Sequence, residues 1–445
     1  MDRGLWLARA GSAGVLTAAG LVSAGLGFAA KSACWAGGAW NVGVEQYQAH
    51  CYSDIYPLYF TEGLWQGKTP YLDHHVEYPV IIGAIMEAAA WVVRSVSNPF
   101  TRGVDYFYVT VGVLSVFLVA GVLATAYCAG PSRRWTALLV AFSPALILSA
   151  FINWDLVAMG LMMMSLAAWA SRRTVVAGIL LGLAVATKFY PLVVLWPLFL
   201  LCLRAGRMRA FWTTTAVAAA AWLVVNLPVA IAAPSGWATF YTFNSSRGAD
   251  WGGIWYFFQY LRWPVLGSQS LGTLNALSAL FFVVCCLAIG VLALAAPHRP
   301  RLVQLIFLTT AAFLISNKVW SPQYVVWLVP LVVLARPRWV GYVIWQIAEV
   351  GYFYAIWAYL IFVIDGIKMN GAISASLYFT SVMARFGTVC LLCALVAWEC
   401  VHSERDVVRT AEVDDPMGGV LDRAPDRRML RRPLSPVISP VQPAH

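Results

Sequence analysis

Long apolar segments recur along almost the whole chain, and no other feature constrains its fold as strongly. A helix needs about 20 mainly apolar residues to cross the hydrocarbon layer of a membrane. Only 11% of the 445 residues are charged and 61% are hydrophobic, whereas soluble domains carry about 25% charged residues. We therefore expect an all-α polytopic membrane protein. Twelve segments, some of them short, are predicted to span the membrane: 10–30, 105–129, 136–152, 156–170, 174–187, 190–203, 211–232, 271–296, 302–316, 323–335, 339–362 and 376–400. Residues 174–203 form either two short helices broken at Tyr190-Pro191 or one long helix.

The connections between these segments alternate in charge. One set, called here the arginine-bearing connections, holds no Asp or Glu, and its arginines are Arg133, Arg134, Arg172, Arg173, Arg204, Arg207, Arg209, Arg299, Arg301, Arg336 and Arg338. The alternate connections hold acidic residues and every lysine of the chain. Lys and Arg concentrate in short cytoplasmic loops of membrane proteins. We therefore predict a multi-pass plasma-membrane protein with both termini and the arginine-bearing connections in the cytoplasm.

The first extracytoplasmic connection, about 31–104, contains one more apolar segment, 77–96. This segment includes Glu87 and Arg94. Counting it as a thirteenth span would reverse the orientation of every later segment and place the arginine-bearing connections outside. We therefore predict an interfacial or re-entrant helix on the outer face, where an amphipathic stretch can lie flat.

The two ends of the chain require separate interpretation. Arg3 and Arg9 precede the first apolar segment, whose length of some 20 residues is long for a cleaved signal peptide, so we favour a retained helix. Residues 402–445 hold seven arginines, seven acidic residues and six prolines. Such a segment has too few large apolar groups to form a core. The prediction is a transmembrane bundle over 1–401 followed by a disordered cytoplasmic tail over 402–445.

Cys34 and Cys51 are the two cysteines of the first connection, where an oxidising compartment is expected. Either they form a disulfide or both remain thiols. The other cysteines have no histidine partners at the spacing of metal ligands, and the adjacent His74 and His75 point in different directions. Neither a metal nor a cofactor is predicted.

Carboxylates and aromatic rings gather in the first connection. Asp54 lies in residues 51–59 (CYSDIYPLY), and Asp73 and Glu77 lie in residues 70–79 (PYLDHHVEYP). A carboxylate in a partly dry pocket has a raised pKa and is a better general base, which contributes about 10²–10⁴ in rate. The pattern suits a site that deprotonates a hydroxyl while rings stack on a sugar. The alternative is a solvated loop whose acidic residues only follow the charge bias of the topology.

Three cations in the outer connections are candidates for binding a phosphate. Lys188 and Lys318 lie at the outer ends of predicted spans, against the charge bias, and Arg247 lies in the long connection 233–270. Ammonium and guanidinium groups pair strongly with phosphate oxygens. The alternative for the lysines is that they extend to the membrane interface without a ligand.

Further polar residues share the outer side and are predicted to orient donor or acceptor: Glu77, Asp155, Asp250 and Gln323. Asp155 follows a very short turn, Asn153-Trp154, which holds it close to the membrane surface. Glu349 lies within a predicted span, and no partner for it is evident from the sequence.

This combination fits the transfer of a sugar from a polyprenyl phosphate to an acceptor hydroxyl. The lipid phosphate would be the leaving group, so no nucleotide and no glycine-rich phosphate loop is needed, and the sequence contains no such loop. A base would activate the acceptor while cations stabilise the departing phosphate. The alternatives are a transporter or flippase of lipid-linked sugars, which favours polar residues near the bilayer midplane, and a non-catalytic scaffold.

Several short motifs resemble those of the bacterial GT-C glycosyltransferases, particularly the actinobacterial branch related to polyprenyl-phosphate-mannose-dependent α-mannosyltransferases. The resemblance covers about residues 5–400 and excludes the tail. The motifs are Ser53-Asp54 with Tyr59, Gly63 and Gly67, residues 70–73 (PYLD), 77–79 (EYP), 153–155 (NWD), 182–188 (GLAVATK), Arg247-Gly248 with Trp251, and Asn317-Lys318 with 321–324 (SPQY). Their order and their shared outer side are more specific than any single motif.

The resemblance implies a GT-C-type bundle with an interfacial helix in the first outer connection and an inverting displacement. It also implies that Asp54 is the catalytic base. This chain has a single acidic residue in Ser53-Asp54 where many relatives have a pair, so Glu77 or Asp73 is a candidate to share the role. The predicted activity is transfer of a hexose, with mannose favoured, from a polyprenyl-phosphate donor to a cell-envelope glycan or glycolipid. Nucleic acid is not a predicted partner.

Overall fold

The computed structural model describes residues 3–365, 370–410 and 413–427, with side chains from residue 11 onward and without that of Asp365. Within these ranges there is no β-strand, as the sequence predicts. The helices of the first part are α1 (Arg3–Ala29), α2 (Ser32–Trp35), α3 (Glu45–Gln48), α4 (Ile55–Thr61), α5 (Val80–Val92), α6 (Pro99–Ala129), α7 (Leu138–Ala141), α8 (Pro144–Ser149), α9 (Asp155–Ala170) and α10 (Thr174–Thr187). The later helices are α11 (Leu195–Ala205), α12 (Met208–Ala232), α13 (Pro234–Ser246), α14 (Ile254–Tyr260), α15 (Leu271–Ala295), α16 (Leu302–Ser316), α17 (Val325–Ala335), α18 (Trp339–Asp365) and α19 (Ala375–Val401).

Six of the described helices are long and apolar enough to cross a membrane: α1, α6, α12, α15, α18 and α19. The remaining apolar helices have 10–17 residues, so the count of twelve spans is not confirmed. A helix of 16 residues is about 24 Å long, less than the roughly 30 Å of the hydrocarbon layer. Three of these shorter helices, α9, α16 and α17, form much of the interior. Every residue of α17 is buried, as are 14 of the 15 residues of α16 and 12 of the 16 residues of α9.

One predicted span is interrupted, and two neighbouring predicted spans are separated by a break. The segment 136–152 is not one helix, because α7 ends before Phe142 and α8 begins at Pro144. Proline has no N–H to donate and disfavours helical geometry in the residue before it. The segment 174–203 is broken at Lys188, whose backbone is extended with φ −158° and ψ 146°. Of the two alternatives for this segment, the structure has the broken one.

The first connection is anchored by a disulfide between Cys34 and Cys51, one of the two alternatives that the sequence left open. The segment 77–96 contains α5, whose 13 residues give a length of about 20 Å, too short to cross the bilayer. One face of α5 is buried at Ile82 and Met86, whereas Trp91 on the other side is 67% exposed. This amphipathic pattern is the one expected for an interfacial helix.

The described part of the tail differs from the predicted disordered segment. Arg301 donates to Asp406 at 2.7 Å and Arg204 donates to Asp426 at 2.5 Å, and Met417 and Leu421 are each 1% exposed. Within residues 402–410 and 413–427, acidic residues of the tail pair with arginines that lie far away in the sequence. Residues 411–412 and 428–445 lie outside the described ranges.

Candidate active site

The connections predicted to be extracytoplasmic enclose a cavity of about 580 Å³, called here the active-site cavity. Among the sequence-predicted site residues, those that line it are Asp54, Glu77, Lys188, Arg247, Asp250 and Gln323. The aromatic residues that line it are Tyr47, Tyr52, Tyr78, Phe240, Phe243, Trp251, Tyr324, Tyr352 and Trp357. Charged groups of both signs therefore face a space largely walled by rings, an arrangement that suits a sugar attached to a phosphate.

Asp54 is held in this cavity by backbone contacts to the turn before α9. Its N–H donates to the carbonyl of Ile152 at 2.7 Å, and the Ser53 hydroxyl donates to the carbonyl of Phe151 at 2.8 Å. The Tyr52 hydroxyl donates to Asp54 Oδ1 at 2.5 Å. Within the described residues nothing donates to Asp54 Oδ2, so one carboxylate oxygen remains available to a ligand.

The environment makes Asp54 more basic than an ordinary aspartate. Burial raises its pKa to about 6, and the hydrogen bond from Tyr52 partly opposes this shift. The negative charge of Glu77 raises the pKa further, whereas Lys188 lowers it. At neutral pH the carboxylate is mostly ionised and can accept a proton from a hydroxyl, which is what a general base requires.

If Asp54 is the base, transfer activity should fall as the pH drops through about 6, because the protonated form cannot accept a proton. Tyr52→Phe removes a hydrogen bond that favours the ionised form, so it should raise the pKa of Asp54 and move the acidic limb to higher pH. Profiles of kcat against pH at saturating donor test this. Tyr47→Phe is the control, because its hydroxyl has no hydrogen bond to Asp54; an equal shift in both variants would contradict the assignment.

Lys188 lies at the break between α10 and α11 and is paired with Asp155. Its Nζ is 2.5 Å from Asp155 Oδ1, and it lies 5.2 Å from the ring centre of Tyr324, 5.6 Å from that of Trp327 and 5.8 Å from that of Tyr78. Asp155 does not line the cavity, but its carboxylate neutralises the charge of Lys188 from outside the cavity wall. An ammonium group has three donors, so the pairing leaves Lys188 able to donate to a ligand as well.

Arg247, Asp250, Glu77 and Gln323 complete the polar wall. Arg247 donates to Asp250 at 2.8 Å. Burial raises the pKa of Glu77, and the positive charges of Arg247 and Lys188 oppose that shift. The side-chain amide of Gln323 has no hydrogen bond to any described residue although the residue is only 7% exposed. Buried amides normally find partners, so the amide of Gln323 is available to a ligand. The carboxylate of Glu77 also has no hydrogen-bond donor among the described residues and can contact a ligand.

Lys318 lies beside the cavity rather than on its wall. It lines a second, mainly apolar space of about 880 Å³, called here the apolar groove. Its Nζ donates to Asn275 Oδ1 at 2.5 Å and to the carbonyl of Ser245 at 3.1 Å. Burial and the charge of Arg247 lower its pKa. Phe240, Asn244 and Tyr324 line both spaces, so the groove and the active-site cavity are adjacent.

Asp73 is not among the residues that line the active-site cavity or the apolar groove. Its carboxylate accepts a hydrogen bond from the N–H of Thr69 at 2.9 Å within an exposed turn. The neighbouring His74 lies 3.3 Å from Glu62. Within residues 3–365, 370–410 and 413–427, no group of three or more His, Cys, Asp or Glu side chains is arranged to hold a metal ion.

The sequence interpretation missed Lys31 and Tyr52 as parts of the site. Lys31 is fully buried, and its Nζ donates to the carbonyl of Tyr52 at 2.9 Å. Burial lowers its pKa to about 7, and the charge of Asp54 opposes this. This hydrogen bond therefore fixes the backbone segment that carries both Tyr52 and Asp54. The available signal was a lysine in a connection predicted to be extracytoplasmic, close to Cys34, where the charge bias disfavours one.

Glu349, for which the sequence offered no partner, is paired with Arg385. Arg385 donates to Glu349 Oε2 at 2.9 Å and to the carbonyls of Trp320 and Ser321 at 2.9 and 3.1 Å. Its guanidinium also lies over the rings of Trp320 and Tyr352. This buried cluster fixes the connection that carries Gln323 into the cavity.

Comparison with known proteins adds one match. The family description "Glycosyltransferase family 87" matches residues 71–322, more than half of the 445 residues. The matched range includes Glu77, Lys188 and Arg247 and excludes Asp54. No curated protein matches the chain.

Proposed function

Because this chain belongs to glycosyltransferase family 87, a membrane family of the GT-C type, we propose that it transfers a hexose, with mannose favoured, from a polyprenyl-phosphate donor. The acceptor would be a hydroxyl of a cell-envelope glycan or glycolipid, and the reaction would take place at the extracytoplasmic face. Membership of this family does not favour a transporter of lipid-linked sugars.

The observation that carries this proposal is the environment of Asp54. Asp54 is a buried carboxylate with a pKa of about 6. One of its oxygens accepts a hydrogen bond from the Tyr52 hydroxyl, and no described residue donates to the other. The same cavity holds Lys188 and Arg247. A base and two cations around one space are what displacement of a phosphate by a hydroxyl needs.

In the proposed reaction, Asp54 Oδ2 accepts the proton of the acceptor hydroxyl. The acceptor oxygen then bonds to the anomeric carbon as the bond between that carbon and the phosphate oxygen breaks. The bonding electrons leave with the polyprenyl phosphate, whose negative charge Lys188 and Arg247 stabilise. A single displacement of this kind inverts the anomeric centre.

The apolar groove supports a lipid-linked donor. It lies among α11, α12, α13, α15 and α16, and its walls include Trp196, Phe199 and Phe282. An isoprenoid chain in the groove would bury apolar surface on both partners. Because Asn244 and Tyr324 line both spaces, the phosphate of such a lipid would come to the edge of the active-site cavity, next to Lys318.

The direct test uses purified protein in liposomes with polyprenyl-phosphate [¹⁴C]mannose and an extract of envelope glycolipids. We expect the label to enter a covalent glycolipid product as polyprenyl phosphate is released, and GDP-[¹⁴C]mannose to give no product. Movement of intact donor between leaflets without a covalent product would instead indicate transport.

Lys318→Ala should weaken donor binding with the fold retained. A hydrogen bond to a charged group contributes about 1.5–3 kcal/mol, so we expect the apparent KM for donor to rise about 10- to 100-fold. Lys68→Ala is the control, because Lys68 is an exposed lysine of the first connection that lines neither space. An unchanged KM in Lys318→Ala would count against its role.

A further inference from the structure

A second polar cavity, of about 530 Å³, lies among the arginine-bearing connections and is called here the arginine cavity. Its walls come from the turn between α9 and α10, the first turns of α12 and the described part of the tail. Arg172, Arg207 and Arg209 line it together with Val420 and Asp422. It shares no lining residue with the active-site cavity.

Among the described residues, its three arginines lack the oxygen partners that seven of the other eight arginines of these connections have, Arg173 being the exception. Those with oxygen partners are Arg133, Arg134, Arg204, Arg299, Arg301, Arg336 and Arg338. Within the described residues, no oxygen accepts a hydrogen bond from the side chain of Arg172, Arg207 or Arg209. Asp422 also lines the cavity, and its carboxylate accepts the N–H of Asp415 at 3.3 Å. Three arginines against one aspartate leave an excess of positive charge.

The arginine cavity adjoins the start of α12. It includes the first turns of α12, one of the helices able to cross a membrane. Trp212, one turn after Arg209, is 60% exposed, and Val224 farther along the same helix is 74% exposed. Exposed apolar side chains on a spanning helix face lipid, and tryptophan is enriched where the hydrocarbon meets the headgroups. The arginines therefore lie near one end of a helix whose exposed apolar face suits contact with lipid.

The backbone reinforces the positive charge of the arginines. Both α10 and α12 begin at this cavity, and neither has a side-chain cap at its first turn. Unsatisfied N–H groups at the start of a helix attract anions. The helix N-termini add to the positive charge of the cavity, most of which comes from the three arginines.

We propose that the arginine cavity binds the phosphate of an anionic phospholipid in the adjacent leaflet. Guanidinium groups form paired hydrogen bonds with phosphate oxygens, and the acyl chains would follow the exposed face of α12. Basic pockets between spanning helices bind lipid headgroups in this way. The binding does not depend on sugar transfer, because the arginine cavity and the active-site cavity have separate walls.

The test measures phosphatidylglycerol bound to purified full-length protein by native mass spectrometry during a lipid titration. We expect wild-type protein to retain the lipid, and Arg172→Gln, Arg207→Gln and Arg209→Gln each to weaken its binding about fivefold. Arg173→Gln is the matched control: it is adjacent, exposed and without a side-chain partner among the described residues, but does not line the cavity. Its lipid affinity should equal that of wild type.

Two outcomes would overturn the proposal. Equal weakening by Arg173→Gln and Arg172→Gln would indicate a diffuse positive surface rather than a site. A parallel titration with inorganic phosphate, in phosphatidylcholine nanodiscs, separates a lipid headgroup from a free anion. Phosphate binding without retention of phosphatidylglycerol would assign the cavity to a soluble ligand.

Discussion

Asp54→Asn is expected to lower the rate of sugar transfer by about 10²- to 10⁴-fold, the usual contribution of a general base. The asparagine has nearly the same shape and can still accept the hydrogen bond from Tyr52. It also replaces a carboxylate whose ionised form is disfavoured by burial, so the protein should remain folded. Donor affinity should stay close to that of wild type, because the proposed phosphate contacts come from Lys188, Arg247 and Lys318.

The measurement is single-turnover transfer from polyprenyl-phosphate [¹⁴C]mannose, with donor binding measured separately. Asp73→Asn provides the control, because it is the same substitution in the same connection but outside both spaces. We expect Asp73→Asn to transfer at the wild-type rate. Wild-type activity in Asp54→Asn would remove Asp54 from the mechanism, and a loss confined to Asp73→Asn or Glu77→Gln would move the base to that residue.

Lys188→Met should strongly lower the rate of transfer and also destabilise the protein. Its removal leaves Asp155 buried without its cation, and breaking a buried ion pair from one side costs about 3–5 kcal/mol. The loss of one donor to a developing phosphate charge should reduce kcat by about 10²- to 10³-fold. The double variant Lys188→Met with Asp155→Asn removes both charges and should restore most of the stability.

The double variant separates the structural and catalytic roles of Lys188. If Lys188 contacts the phosphate, thermal unfolding of the double variant should approach that of wild type while its transfer activity stays low. Recovery of both stability and transfer would show that Lys188 serves only to neutralise Asp155. With Asp155→Asn alone, the four proteins form a double-mutant cycle, which measures the coupling free energy between the two residues.

The sequence predicted the long helices well and their interruptions less well. Hydropathy is a property of local segments, so α6, α12 and α15 could be located from composition alone. The same criterion joined α7 and α8 into one predicted span, because the apolar residues around Pro144 outweighed the break that proline introduces. The contacts of the tail could not be predicted for a different reason: Asp406 pairs with Arg301, a residue far away in the sequence.

The candidate site, too, was predicted from the sequence only in part. Asp54, Lys188 and Arg247 could be nominated from residue type and from their place in the connections predicted to be extracytoplasmic. The sequence could not tell that Lys188 is paired with Asp155 or that Asp73 lies apart from the cavity. Lys31 was undervalued because a lysine near a membrane surface usually extends to water, whereas here its ammonium group is buried against the carbonyl of Tyr52.

The all-helical, membrane-embedded character and the charge difference between the two sets of connections were determined by the sequence alone, since both are sums over neighbouring residues. Only the tertiary structure decided which carboxylates keep a free oxygen in the active-site cavity and which cations have carboxylate partners. Those properties depend on burial and on contacts between segments that are distant in the chain, and solvation and pairing of a charged group change only when such segments meet.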